Sequence, residues 1–145
     1  MTRNKGFTLI ELVMVIVILG ILSAFAIPRY LDIQQQARVA SIQGLQGAVV
    51  SAVAIVKAGW RLNGQQSPVS VDGSTVIVNT TTGYPTAVAG GIGNAVQFST
   101  ENYTVAYASN DATFSLADSS GNAIANCHVV YNAATGDTSL VTTGC

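Results

Sequence analysis

The sequence predicts an α+β fold. One long amino-terminal α-helix, membrane-spanning in its first half and amphipathic in its second, packs against an antiparallel β-sheet. Three observations predict it. The run Phe7–Ile27 is apolar and carries Glu11 as its only charge. Beyond it, Ile42, Leu45, Val49, Ala52 and Val56 recur at spacings of three and four, which is one face of a helix. After Trp60 the composition turns to Ser, Thr, Asn and Gly, with short strand-like runs between turn signals.

The composition narrows the function. Charged residues are 9% of the 145 and hydrophobic residues 49%, the reverse of a disordered chain. Six Lys and Arg against seven Asp and Glu leave no basic stripe for nucleic acid. Two cysteines and one histidine are too few for the usual zinc or iron–sulfur sites, so neither metal nor cofactor is expected. The length suits one domain.

The apolar run comes first. As a helix, Phe7–Ile27 would span ~31 Å, about one hydrocarbon core. Arg3, Lys5 and the chain's amino group precede it and should hold that end on the cytoplasmic side. The remainder then faces the other side. The expected division is a leader at 1–6, a transmembrane and assembly helix at 7–27, and a globular domain at 28–145.

Three readings fit such a run. One is a secretory signal peptide, cut after Ala26 at Ala24-Phe25-Ala26. The second is a plain anchor. The third accounts for Glu11, because a carboxylate inside an apolar helix is costly and normally has a partner. Cutting after Gly6 would create one, the new α-amine of Phe7. That amine lies one helical turn from Glu11, or reaches it from a neighbouring chain.

Gly6-Phe7-Thr8-Leu9-Ile10-Glu11-Leu12, behind a short basic leader, resembles the class III signal of type IV pilins. The resemblance implies a pilin fold and cleavage between Gly6 and Phe7 by a membrane peptidase that also methylates Phe7. It makes Glu11, fifth in the mature chain, the assembly residue, expected to contribute nothing to processing or folding. Pro28, followed by Arg29-Tyr30, sits where pilins carry a helix-breaking proline.

The helical pattern continues past Pro28, which should kink or interrupt it. Leu31, Ala37, Ala40, Ala48, Val53 and Ile55 broaden the apolar stripe. Lys57 falls in the expected last turn, and Gly59 can supply a left-handed cap near Ala58. Gly44 and Gly47 weaken this half slightly, with or without a packing purpose.

Val69-Ser70-Val71 and Val76-Ile77-Val78 flank Asp72-Gly73, a hairpin signal. Gly83–Asn94 reads as an irregular loop with one short helix. Runs at Tyr103–Ala108, Thr113–Ala117, Ile124–Tyr131 and Thr138–Thr142 suggest a four-stranded meander. There are no internal repeats.

Cys127 and Cys145 are the only cysteines. A hairpin turning at Gly136 would set them opposite each other, within the ~4.5–5.5 Å at which antiparallel residues face and a disulfide can form. Outside the cytoplasm such a bridge persists; two buried thiols are the alternative. The bridge also matches the disulfide-bounded carboxy-terminal loop of pilins, though this loop is short. Ala37-Arg38-Val39, Gly44–Ala48, Gly83-Tyr84-Pro85 and Gly91-Ile92 resemble pilins of the mannose-sensitive haemagglutinin type.

Other signals are weaker. His128 beside Cys127 reads as a packed or solvated strand residue, and Asp72-Gly73-Ser74 lacks the acids of a calcium loop. Asn79-Thr80-Thr81 and Asn102-Tyr103-Thr104 read as polar loop and strand start. Trp60 and Tyr30 read as packing or interfacial residues. No catalytic set is recognisable, so no enzyme is expected.

The resemblance implies a structural subunit of a type IV pilus, held in the bacterial inner membrane and then polymerised into an extracellular helical fibre. Its partners would be copies of itself, the prepilin peptidase and methylase, and the inner-membrane assembly platform. Adhesion, twitching motility, DNA uptake and biofilm formation use similar subunits. A type II secretion pseudopilin is the alternative within that class. A secreted or anchored binding domain with an ordinary signal peptide is the alternative outside it.

Overall fold

A computed structural model describes residues 6–145; the leader residues Arg3 and Lys5 lie outside the described residues. The chain divides into two compact units, one ending at Gln36 and one running Ala37–Cys145. Hydropathy places the boundary at 27/28. Compactness places it later because every residue from Pro28 to Gln36 is exposed helix.

Helix α1 runs Leu9–Leu62 with Pro28 inside it, so the expected helix break does not end the helix in the subunit. The physical reason is that proline deletes one backbone donor while the rest of a 54-residue helix keeps its ladder. In the first unit, every residue from Gly6 to Gln36 is exposed.

In the second unit, α1 buries Ile42, Leu45, Val49, Ala52, Val53, Val56 and Trp60. This is the expected stripe, extended at its end. Of the residues expected to broaden it only Val53 is buried; Leu31, Ala37, Ala40, Ala48 and Ile55 are exposed. A single covering layer reaches only one face of a helix.

The end of α1 also differs from expectation. Asn63 N–H donates to Gly59 C=O at 2.9 Å, so Gly59 is helical and not the cap. Gly64 and Gln65 supply the left-handed turn, with φ of 66° and 62°. Gly59 instead makes room: a Cβ there would lie 2.9 Å from Val69 Cγ1.

Strands β1 (Val69–Val71) and β2 (Ser74–Val76) form the hairpin. Asp72 and Gly73 both have positive φ, as a type I′ turn requires. Strand β2 ends earlier than expected, and Val78 makes an isolated bridge with Pro85. A short helical turn, Ala89–Gly93, lies in the glycine-rich loop. Strands β3 (Tyr103–Ala108), β4 (Asp111–Ala117), β5 (Ala123–Asn132) and β6 (Thr138–Val141) form an antiparallel meander in that order.

Two cores result. Phe114, Val129, Tyr131, Ile92 and Cys127 pack with Ile42, Leu45 and Val49. Trp60 and Val56 pack with Val69, Val76 and Val78. Between them, Gly83-Tyr84-Pro85 acts as a clasp. Gly83 has φ 74°, and a Cβ there would enter the Trp60 ring. The Tyr84 ring lies 3.7 Å under Lys57 Nζ and against Gly136 on its other contact. The Pro85 carbonyl accepts the buried Tyr131 hydroxyl at 2.8 Å.

Candidate assembly site

Gly6, Phe7 and Thr8 precede α1 as exposed chain outside the helix. This is the backbone form a peptidase can take into its cleft, and Gly6 adds no side chain there. Phe7 is 79% exposed.

Thr8 and Glu11 hold each other. Glu11 Oε2 accepts the Thr8 N–H at 2.9 Å and the Thr8 hydroxyl at 2.7 Å. The Glu11 N–H reaches back to Thr8 Oγ1 at 3.4 Å. This is a capping box, which satisfies donors that the first helical turn leaves open. Glu11 therefore does contribute to local folding, contrary to expectation. The pattern Thr8-x-x-Glu11 ahead of an apolar run was readable as a capping signal, and the sequence reading missed it. The second carboxylate oxygen, Oε1, accepts no hydrogen bond among the described residues, which leaves it open to a cation.

From Leu12 to Ile27 no polar side chain competes for Glu11. Ser23 donates its hydroxyl to Leu19 C=O within the helix at 2.7 Å. The surface is Leu, Ile, Val, Met and Phe, mostly more than half exposed. Such a face is stable only in a lipid or protein environment.

Cys127 and Cys145 form a disulfide with Cα atoms 4.8 Å apart. The pairing is as expected, but the route differs. Tyr131 pairs with Thr138 and His128 with Val141, a register that does not set Cys145 opposite Cys127. Instead β6 stops at Val141, and the Cys145 N–H turns back to Thr142 C=O at 3.2 Å. Gly144 crosses so close to Ala125 C=O that a Cβ there would collide with it. Arg38 Nη1 then donates to the Cys145 carbonyl at 3.2 Å, tying this corner to α1. No sequence signal tied Arg38 or Gly144 to this bridge.

His128 is half-buried on β5, and no group of three metal-ligating side chains occurs among the described residues. Asp118 holds the β4–β5 turn: its Oδ1 accepts Ser120 N–H and Asn122 N–H, both at 2.8 Å. These backbone bonds, Asn122 first and Ser120 second, hold its carboxyl below the usual range. Burial, and secondarily Tyr84, push the Tyr131 phenol well above its usual value.

Residues 1–27 match the family profile described as the prokaryotic N-terminal methylation motif. Over this segment the chain is similar to type IV pilin precursors. It is 57% identical over 53 residues to the type IV narrow pilus major component PilA5 of Thermus thermophilus, covering 37% of this chain and 46% of that one. A fimbrial protein of Moraxella nonliquefaciens is 35% identical over 77 residues, 53% of this chain and 50% of its own. The type II secretion system core protein G of Pseudomonas aeruginosa is 35% identical over 83 residues, 57% of this chain and 56% of its own. The chain spans about half the length of these relatives, and no solved structure matches it. These relatives are named as components of a pilus, a fimbria and a secretion system.

Proposed function

We propose that this chain is the structural subunit of a type IV pilus. A prepilin peptidase cleaves between Gly6 and Phe7 and methylates the new Phe7 amine. Residues 7–27 hold the mature subunit in the inner membrane, with domain 28–145 outside the cytoplasm. An assembly platform then draws subunits into an extracellular helical fibre used for adhesion, motility or related surface work.

The observation that carries this reading is Glu11 at the fifth position after Gly6, inside a stretch, Phe7–Ile27, that is otherwise uncharged and wholly exposed. After cleavage the Phe7 amine and the Glu11 carboxylate are each costly alone in an apolar setting. An incoming subunit seated too high or too low leaves both unpaired. The correct register brings the amine to a neighbour's Glu11, whose Oε1 is open. Thr8 satisfies the carboxylate until then. The apolar faces bury one another, and a head-to-tail contact that does not close gives a filament. Pro28 would loosen the helix locally in the fibre, where packing can replace its missing bond.

The similarity to a type II secretion core protein supports a second reading, a pseudopilus subunit. The Cys127–Cys145 bridge favours the pilus. The test is the intact mass and first residue of the purified mature protein. Methylated Phe7 is expected, and a chain beginning at Ile27 would replace this reading with a signal peptide. Fibres formed only with a type II secretion assembly platform would favour the pseudopilus.

A further inference from the structure

Charge in this chain is segregated. Once the leader is removed, every Lys and Arg, namely Arg29, Arg38, Lys57 and Arg61, lies on α1. Residues 63–145 hold no Lys or Arg and five acids. Within the second unit two of these cations are already engaged: Arg38 on the Cys145 carbonyl and Lys57 on the Tyr84 ring. Arg61 is exposed in the last turn of α1 and makes no side-chain hydrogen bond among the described residues. Beside it Leu62 is 90% exposed, at the lip of an open groove of about 430 Å³ lined by Gly59, Asn63, Pro68, Val69 and Ser70.

The acids differ in how free they are. Asp111 is engaged by Asn132 Nδ2 at 2.7 Å, and Asp72 by Gln97 Nε2 at 3.5 Å. Asp118 is held rigid through Oδ1 alone, which leaves Oδ2 presented by an ordered turn. Its place in the second unit is fixed by two contacts. The Ala117 N–H donates to Asn102 C=O at 2.8 Å, and the adjacent Tyr103 hydroxyl donates to Ser41 C=O at 3.4 Å. The Asp118 turn therefore sits at the Ser41 end of the buried helix, and Glu101 is the residue before Asn102. Arg61 sits at the other end, about 30 Å further along α1 by helical rise.

We propose that the Arg61–Leu62 end of one subunit docks the Asp118 turn of a second copy. This rests on the fibre reading above and deepens it. Opposite charges at opposite ends of one unit form a contact that is head-to-tail and does not close on itself, the kind that propagates a filament. A preordered carboxylate loses less freedom on binding than a mobile one. The Leu62 side chain and the groove add apolar area that a lone surface ion pair lacks.

The test is fibre yield from cells expressing the full chain, with cleaved, disulfide-bonded subunit measured in the membrane. Arg61→Asp and Asp118→Arg should each lower yield about tenfold or more, because like charges then meet across the contact. The double exchange should restore part of it, because arginine at the turn returns the opposite charge but not the Oδ1 acceptor that orders the turn. Asp118→Asn keeps the turn's Oδ1 acceptor and removes the charge, so its fibres should form but lose the wild type's sensitivity to salt. Wild-type yield from either charge reversal would overturn the contact, as would a double exchange no better than the singles. A wild-type chain that is cleaved but forms no fibre would instead overturn the fibre reading and this contact with it.

Discussion

The two units of this chain answer different physical demands. Among the described residues nothing up to Gln36 is buried: the helix shows its apolar side chains on every face, and the Thr8–Glu11 box organises its first turn. From Ala37 onward, apolar side chains form cores around Phe114, Tyr131 and Trp60. The first unit completes itself only with lipid or with other chains; the second completes itself within the subunit. Folding and assembly should therefore be separable by mutation. Changes in the second unit should act on stability first. Changes in the first should spare the stability of the second unit and act on assembly.

The largest effect expected in the second unit is from Gly83→Val. A β-branched residue is strained at φ 74°, and its Cβ enters the Trp60 ring. A loss of ~3 kcal/mol or more, typical of forced overpacking, should appear as a lower thermal midpoint of the full chain in detergent. Leader cleavage should be unchanged, since Gly6 and Phe7 belong to the other unit.

Cys145→Ser comes next. Closing the loop between Cys127 and Cys145, separated by 18 residues, restricts the unfolded chain by ~3 kcal/mol. Subunit abundance should fall through proteolysis while processing continues. Both thiols alkylated in native protein would contradict the bridge.

Tyr131→Phe tests the clasp. Losing the bond to Pro85 C=O should cost about 1 kcal/mol. Because the folded phenol is raised above its unfolded value of 10.0, the native state holds its proton where the unfolded state releases it. Stability is then full below about pH 10 and falls as pH rises from there toward the folded value. The variant should lose that alkaline decline, measured by thermal melts across the range.

The smallest effect has the opposite sign. No atom lies within 4 Å of a Cβ built on Gly47, and alanine is the better helix former by up to ~1 kcal/mol. Gly47→Ala should stabilise the subunit slightly. A destabilised subunit would mean that the exposed face of α1 is constrained in a way the isolated fold does not show.

How much of this was legible depends on how local each signal is. The helix stripe Ile42–Val56, the Asp72-Gly73 turn and the meander follow from periodicity and turn chemistry carried by adjacent residues. The helix end at Gly64 was not legible at Gly59, because Gly59 serves contact with Val69, a partner ten residues away. The disulfide pairing was legible, but its path through Gly144 and Arg38 was not, since both act through contacts distant in sequence. The Lys57–Tyr84–Gly136 clasp likewise joins three segments that only the fold brings together. In the candidate assembly site, Glu11 stood out because one acid interrupts an apolar run, and Gly6 and Phe7 because the motif around it resembles a pilin signal. Thr8 was overlooked although its spacing to Glu11 is a local pattern.

The separation of folding from assembly is tested most directly at Glu11. Electron microscopy of sheared fibres from cells making Glu11→Val, with the membrane-bound subunit followed by immunoblot, reads both properties together. The account predicts a cleaved, disulfide-bonded, membrane-held subunit and few or no fibres, with Glu11→Asp intermediate because it keeps the charge but shortens the reach. Abundant wild-type-like fibres from Glu11→Val would contradict it.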